Sequence, residues 1–149
     1  MSLPYPENPF APLAFAGITP PPDTSFDRTF AYLYNFTLTG LQVGVSAQVA
    51  IDTDADFLME AMYVSVASAA FLVQLSDSTG YELQSGQLQS AAISTSSANP
   101  TVISPMHRFP AGGKIQILIT NLSGLSNTGQ IVFLGVKRYL LPLNEGALL

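Results

Sequence analysis

The sequence predicts an all-β protein, an antiparallel jelly-roll-like sandwich of about eight strands with an extended Pro-rich N-terminal arm. Three observations predict it. Large apolar residues alternate with small or polar ones through most of the chain, turn chemistry punctuates that alternation, and no stretch places apolar residues at sustained helical spacing. A chain of 149 residues suits one domain, and at that length a core forms without a disulfide or a metal.

Residues 1–27 differ from the rest. Pro4, Pro6, Pro9, Pro12 and the run Pro20-Pro21-Pro22 preclude a helix and favour extended backbone. Leu3, Tyr5, Phe10, Leu13, Phe15 and Ile18 are interleaved with them. A flexible linker would be rich in Gly, Ser or charge, so these six residues are the candidate partner-binding arm. The expected division is an arm over 1–27, a β-sandwich domain over 28–141 and a short tail over 142–149.

The first strand is expected from Thr29, where Phe30, Tyr32, Tyr34, Phe36 and Leu38 alternate with smaller or polar residues until Gly40 breaks the run. Val43, Val45, Ala47, Val49 and Ile51 form the second. Asp52, Asp54 and Asp56 mark a turn whose carboxylates are expected to cap nearby amides and face water. A third strand runs from Phe57 to Ala67 and a fourth from Ala70 to Ser76, closed by the turn Asp77-Ser78-Thr79-Gly80. A fifth is expected over Tyr81 to Leu88, broken or bulged at Gly86, then a small, polar loop over 89–99. Pro105 confines the short piece around Val102, Ile103 and Met106 to an edge or a bend. Lys114 to Thr120 alternates most cleanly, with Ile115, Ile117 and Ile119 pointing inward and Lys114, Gln116 and Thr120 outward or toward a partner. After a loop over 121–129, Gln130 to Leu140 forms the last strand.

Composition narrows the function. Hydrophobic residues make up 48% and charged residues only 10%, against about 25% charged in an average soluble domain. A chain so poor in charge has little to cover its outside, so part of its surface is expected to lie against other subunits. Five basic residues against ten acidic ones argue against binding driven by phosphate neutralisation, so no nucleic-acid partner is expected. No apolar run reaches the about 18 residues of a membrane span, and Met1 to Pro9 lacks a basic flank, so synthesis and use without secretion are expected.

Catalytic groups are scarce. With no cysteine and one histidine, His107, thiol chemistry is excluded and a common histidine zinc site cannot be assembled. Met106-His107-Arg108-Phe109 resembles no triad context, and His107 is expected to be an ordinary polar residue in a loop. Asp52, Asp54 and Asp56 open like a calcium loop, but the sixth position is not Gly and the twelfth is Tyr63 rather than Glu. Glu60, Asp77 and Glu82 are the mid-chain acids available for glycoside hydrolysis, and their spacing selects no pair. Asn35-Phe36-Thr37 and Asn121-Leu122-Ser123 match the short glycosylation sequon without a secretion signal to support it. No catalytic residue, metal or cofactor is therefore expected.

Four segments carry a family resemblance: Ile51-Asp52-Thr53-Asp54-Ala55-Asp56-Phe57, Val73-Gln74-Leu75-Ser76-Asp77-Ser78-Thr79-Gly80, Ile119-Thr120-Asn121-Leu122-Ser123-Gly124 and Phe133-Leu134-Gly135-Val136-Lys137. Across roughly residues 28–140 the chain resembles the decoration, or cement, proteins of tailed bacteriophage capsids. The resemblance implies a β-rich, non-enzymatic subunit that forms dimers or trimers, binds the major capsid protein and ties capsomers together on the capsid exterior. The competing expectation is a carbohydrate- or receptor-binding module of a phage tail or fibre, motivated by the tyrosines and the polar loop over 89–99.

Overall fold

The structure, a computed structural model, describes residues 25–140. Eight strands follow one another: β1 (Ser25–Leu38), β2 (Gly44–Ala50), β3 (Asp56–Ala67), β4 (Phe71–Asp77), β5 (Leu88–Gln89), β6 (Thr101–Phe109), β7 (Lys114–Asn121) and β8 (Asn127–Leu140). They build two four-stranded sheets, ordered β1-β8-β3-β6 and β2-β7-β4-β5. β3 runs antiparallel to β6 and β8, and β7 to β2 and β4. Side-chain bonds from Arg138 to Asp27 and from Gln130 to Asn35 run β1 against β8 in the same sense. Asp27–Tyr139 is one compact unit; the other, Met1–Phe26 with Leu140–Leu149, lies almost wholly outside the described residues. The arm residues Leu3, Tyr5, Phe10, Leu13, Phe15 and Ile18 lie outside them entirely.

Period-two alternation builds the core. Ile115, Ile117 and Ile119 of β7 and Phe71, Val73 and Leu75 of β4 are buried from one sheet, and Phe57 and Met59 of β3 with Ile131 and Phe133 of β8 from the other. The rings of Phe36 and Phe71 meet across the two sheets at 5.0 Å between centroids, so one core lies between them. By the same register Leu58, Leu134 and Val136 face outward from the first sheet, while Ser46, Gln48, Gln74, Ser76 and Gln116 face outward from the second. The outer side of the first sheet mixes these apolar residues with Asn35, Gln130 and Arg108, while that of the second carries amides and hydroxyls.

β8 passes close beneath β3. A Cβ on Gly135 would stand 2.0 Å from the Leu58 carbonyl oxygen, so only glycine fits beside the irregularity that β3 carries between Met59 and Ala61.

Several expectations need correction. Tyr81 to Leu88 is not a strand: only Leu88–Gln89 pairs, with an isolated bridge between Ser76 and Glu82. The reason is local, since the Gln84 side chain accepts the Leu75 amide and substitutes for a backbone partner. The segment over 89–99 contains the end of β5 and one 3-10 turn at Ser90–Ala92. The short piece around Val102 extends into the nine-residue strand β6, which does form a sheet edge. β8 begins three residues before Gln130, at Asn127. Thr120 lies on the outward register but is buried beside Gly44 and Leu72.

Candidate functional site

Chemistry in this sandwich is sorted between its two ends. At one end meet the start of β1, the turn between β2 and β3, the end of β6, the start of β7 and the end of β8. Asp27, Arg28, Asp52, Asp54, Asp56, Arg108, Lys114, Lys137 and Arg138 all stand there. At the other end the segments 39–44, 67–70 and 121–129 contain no charged residue.

The acidic turn is not a corner solvated by water alone. β8 turns Lys137 inward in the phase of Ile131 and Phe133, and its side chain is only 4% exposed. Its Nζ donates to Asp52 Oδ2 at 2.7 Å and to Asp54 Oδ1 at 3.1 Å, and stands 4.2 Å from the Phe30 ring centroid. Burial works against the ammonium charge, but the bonds to Asp52 and Asp54 outweigh it and raise the Lys137 pKa. The hydrogen bond from Lys137 correspondingly holds the Asp52 carboxyl below its usual value. Asp56 faces elsewhere, accepting from Arg108 Nε at 2.8 Å and from the Ala111 amide. Two of the three carboxylates thus already share a cation supplied by the chain.

His107 sits on β6 rather than in a loop, facing the neighbouring sheet. Its Nε2 is 3.1 Å from Asp77 Oδ2 at the end of β4, its ring stacks on Tyr81 at 5.3 Å, and Phe109 meets its edge. Asp77 also accepts from the Thr79 hydroxyl, the Thr79 amide and the Tyr81 amide. Burial, the largest single influence, pushes the Asp77 carboxyl up, but these donors and His107 together hold it below its usual value. An ionised carboxylate can only accept, so Nε2 carries the hydrogen. The pair fastens the edge strand of one sheet to the last residue of a strand in the other. Among the described residues no hydroxyl bonds the other ring nitrogen, and no group of three His, Asp or Glu is arranged to hold a metal ion.

The uncharged end is built by amides. Asn121 and Asn127 are fully buried. Asn121 Nδ2 donates to the carbonyls of Gly40 and Leu125, and Asn127 Nδ2 to those of Ala69 and Ala70. Asn127 Oδ1 accepts from the Ala69 amide and the Ser68 hydroxyl. Three loops are held by two side chains, so the apolar residues they display are fixed in place: Leu125 is 77% exposed and Leu41 58%, with Val43 beside them. The same bonds leave Asn121 unavailable to a glycan. Asn35, the other sequon residue, is exposed and accepts from Gln130.

A shallow hollow of about 560 Å³ lies on the outer face of the second sheet, lined by Ser46, Gln48, Gln74, Ser76, Glu82 and Gln116 among others. Glu60 stands exposed on β3, apart from Asp77 in the buried cluster. Among the described residues no helix is long and apolar enough to cross a membrane. No protein-family model and no curated protein matches this chain.

Proposed function

We propose that this chain is a virion structural protein that decorates and cements a bacteriophage capsid by binding the major capsid protein and copies of itself. The observation that carries the reading is the uncharged end. Exposed leucines on loops locked by buried asparagines form a surface that gains by being covered and loses little entropy when it is. The strand order β1-β8-β3-β6 facing β2-β7-β4-β5 supports reading the sandwich as a jelly roll. The Pro-rich apolar segment over 1–27 supplies a second attachment through Leu3, Tyr5, Phe10, Leu13, Phe15 and Ile18. A subunit bridging two capsomers adds binding free energy that must be lost before they separate, and many copies multiply the effect. In this reading the protein is made in the host cytoplasm, acts on the capsid exterior, is not an enzyme and needs no cofactor.

The test is co-sedimentation of the purified chain with shells of the major capsid protein from the same phage. Leu125→Asp and Leu41→Asp should each weaken attachment at least about tenfold while leaving the circular dichroism of the free protein unchanged. Undiminished binding by both variants would remove the uncharged end from the interface.

A second reading, a carbohydrate-binding module of a tail or fibre, is favoured by the amide-lined hollow and by Tyr81, whose ring is exposed. Glycan-array silence would remove it.

A further inference from the structure

The two edges of the first sheet are not alike. β6 carries Pro105, and its pairing with β3 is interrupted between Met59 and Ala61, both features that discourage a further strand. β1 has neither. It spans 14 residues, and from Thr29 to Leu38 it contains no proline, glycine or charge. Among the described residues no strand pairs with its outer edge. The edges of the second sheet are shorter, seven residues in β2 and two in β5. A long, uncharged, regular edge is a template for another strand, and soluble proteins normally blunt it.

The sequence of that edge says which strand it fits. Thr29-Phe30-Ala31-Tyr32-Leu33-Tyr34-Asn35-Phe36-Thr37 reads the same in both directions except at Ala31 and Asn35. We infer that two copies of this chain pair antiparallel through β1 about a two-fold axis at Leu33, joining their first sheets into one eight-stranded sheet. In that register Leu33 meets Leu33 of the second copy, Tyr32 meets Tyr34, Phe30 meets Phe36 and Thr29 meets Thr37. Ala31 meets Asn35, the one unlike pair, and no charge opposes a charge. Residues opposite each other across an antiparallel pair share a face. The half-exposed rings of Phe30 and Tyr34 would therefore extend the aromatic row of the core, and Leu33, 50% exposed, would find its cover on the outside. A two-fold contact requires a self-complementary surface, and a palindromic strand supplies one.

The inference rests on the proposed function for self-association alone; shell binding can stand or fall separately. Because the chain has no cysteine, Leu33→Cys provides a clean probe. Directly opposed residues have Cα atoms about 4.5 to 5.5 Å apart, within disulfide range. The full chain should sediment as a dimer, and oxidised Leu33→Cys should become a covalent dimer while Leu125→Cys remains uncrosslinked. Leu33→Lys sets two ammonium groups face to face and should weaken dimerisation about 100-fold, with an unchanged dichroism spectrum. A trimer, crosslinking of Leu125→Cys as fast as that of Leu33→Cys, or a Leu33→Lys protein that still dimerises would overturn the inference. A native chain that is monomeric yet sediments with shells overturns it and leaves shell binding standing. A dimer crosslinked through position 33 that ignores shells upholds it and removes the capsid reading.

Discussion

The two ends of this sandwich perform one mechanical task, tying loops to strand ends, with opposite chemistry. One end uses ions: Lys137 with Asp52 and Asp54, Arg108 with Asp56, and Arg138 with Asp27. The other uses the neutral amides of Asn121 and Asn127. The carboxylates of Asp27, Asp52 and Asp54 are about half exposed and that of Asp56 partly so, and water can take over when a partner is lost, so each bond there is worth little by itself. The amides are fully enclosed. Removing one leaves partly buried backbone groups without a partner, the expensive way to break a hydrogen bond. The end without charge is therefore the more costly one to damage, and the end with charge is the one that responds to solution conditions.

Asn127→Ala should cause the largest loss. It orphans the Ala69 amide and the Ala69 carbonyl, while the Ala70 carbonyl keeps the Leu122 amide, at a cost of about 3 kcal/mol in urea unfolding. A loss under about 1 kcal/mol would mean that water replaces the amide and that the ends are equivalent.

Lys137→Ala should cost about 2 kcal/mol, chiefly for the emptied volume and the lost contact with Phe30, because Asp52 and Asp54 can rehydrate. Lys137→Met, which refills the space without the charge, should recover about half of that. If methionine instead proves as damaging as alanine, the ion pairs dominate and the contrast between the ends narrows.

Acid should separate the ends without mutation. Asp27, Asp52 and Asp77 have folded pKa values below the usual 3.8. Their stabilisation is fully present above that value and is lost as pH falls through the lower folded values. Lys137, raised in the folded state, keeps its contribution until pH climbs beyond the ordinary lysine range. In hydrogen exchange below about pH 4, amides around 52–56 and 77–81 should lose protection before those around 68–70 and 121–127. Simultaneous loss would show that the ends do not open independently.

The smallest effects concern salt and metal. Sodium chloride at about 1 M should change stability by less than about 0.5 kcal/mol, and most of that should persist in Lys137→Met, because the exposed Arg108–Asp56 and Arg138–Asp27 pairs are the ones that salt screens. Calcium and chelator should leave the melting temperature unchanged, since the Lys137 ammonium stands between Asp52 and Asp54. A melting temperature that rose with the logarithm of calcium concentration would show a metal displacing the lysine.

How much of this was legible in the sequence depended on what decided each element. The runs Phe30 to Leu38 and Lys114 to Thr120 face a core on one side only, so burial writes itself into alternation and their strands could be read directly. The stretch over 81–88 misled because its pairing with β4 stops after the bridge of Ser76 to Glu82, where the Gln84 side chain takes the place of a backbone acceptor and leaves no periodic trace. Lys137 was readable in principle: it shares the phase of Ile131 and Phe133, and an inward lysine opposite an acidic turn implies a partnered charge. His107 was not, because its partners Asp77 and Tyr81 belong to the other sheet and only the folded topology brings them near. Asn121 and Asn127 looked like loop composition, since nothing in a run of Gly, Ser and Asn distinguishes a buried amide from a solvated one. The charge-free end was present in the sequence as three uncharged segments, but their adjacency follows from the strand order alone.

That strand order also constrains how the protein is born. β8, the last of the described strands, sits between β1 and β3, and its Arg138 bonds Asp27 across 111 residues. The first sheet therefore cannot close before residues 127–140 are available. Until residues 127–140 leave the ribosome, β1 lacks its neighbour β8, and of the described strands β3 has only β6 beside it. Contacts of such long sequence separation place folding in the slow range of all-β domains, about milliseconds to seconds. During that interval the uncharged run from Thr29 to Leu38 of one nascent chain can meet that of another on the same message, so in the proposed dimer assembly and folding would draw on the same strand.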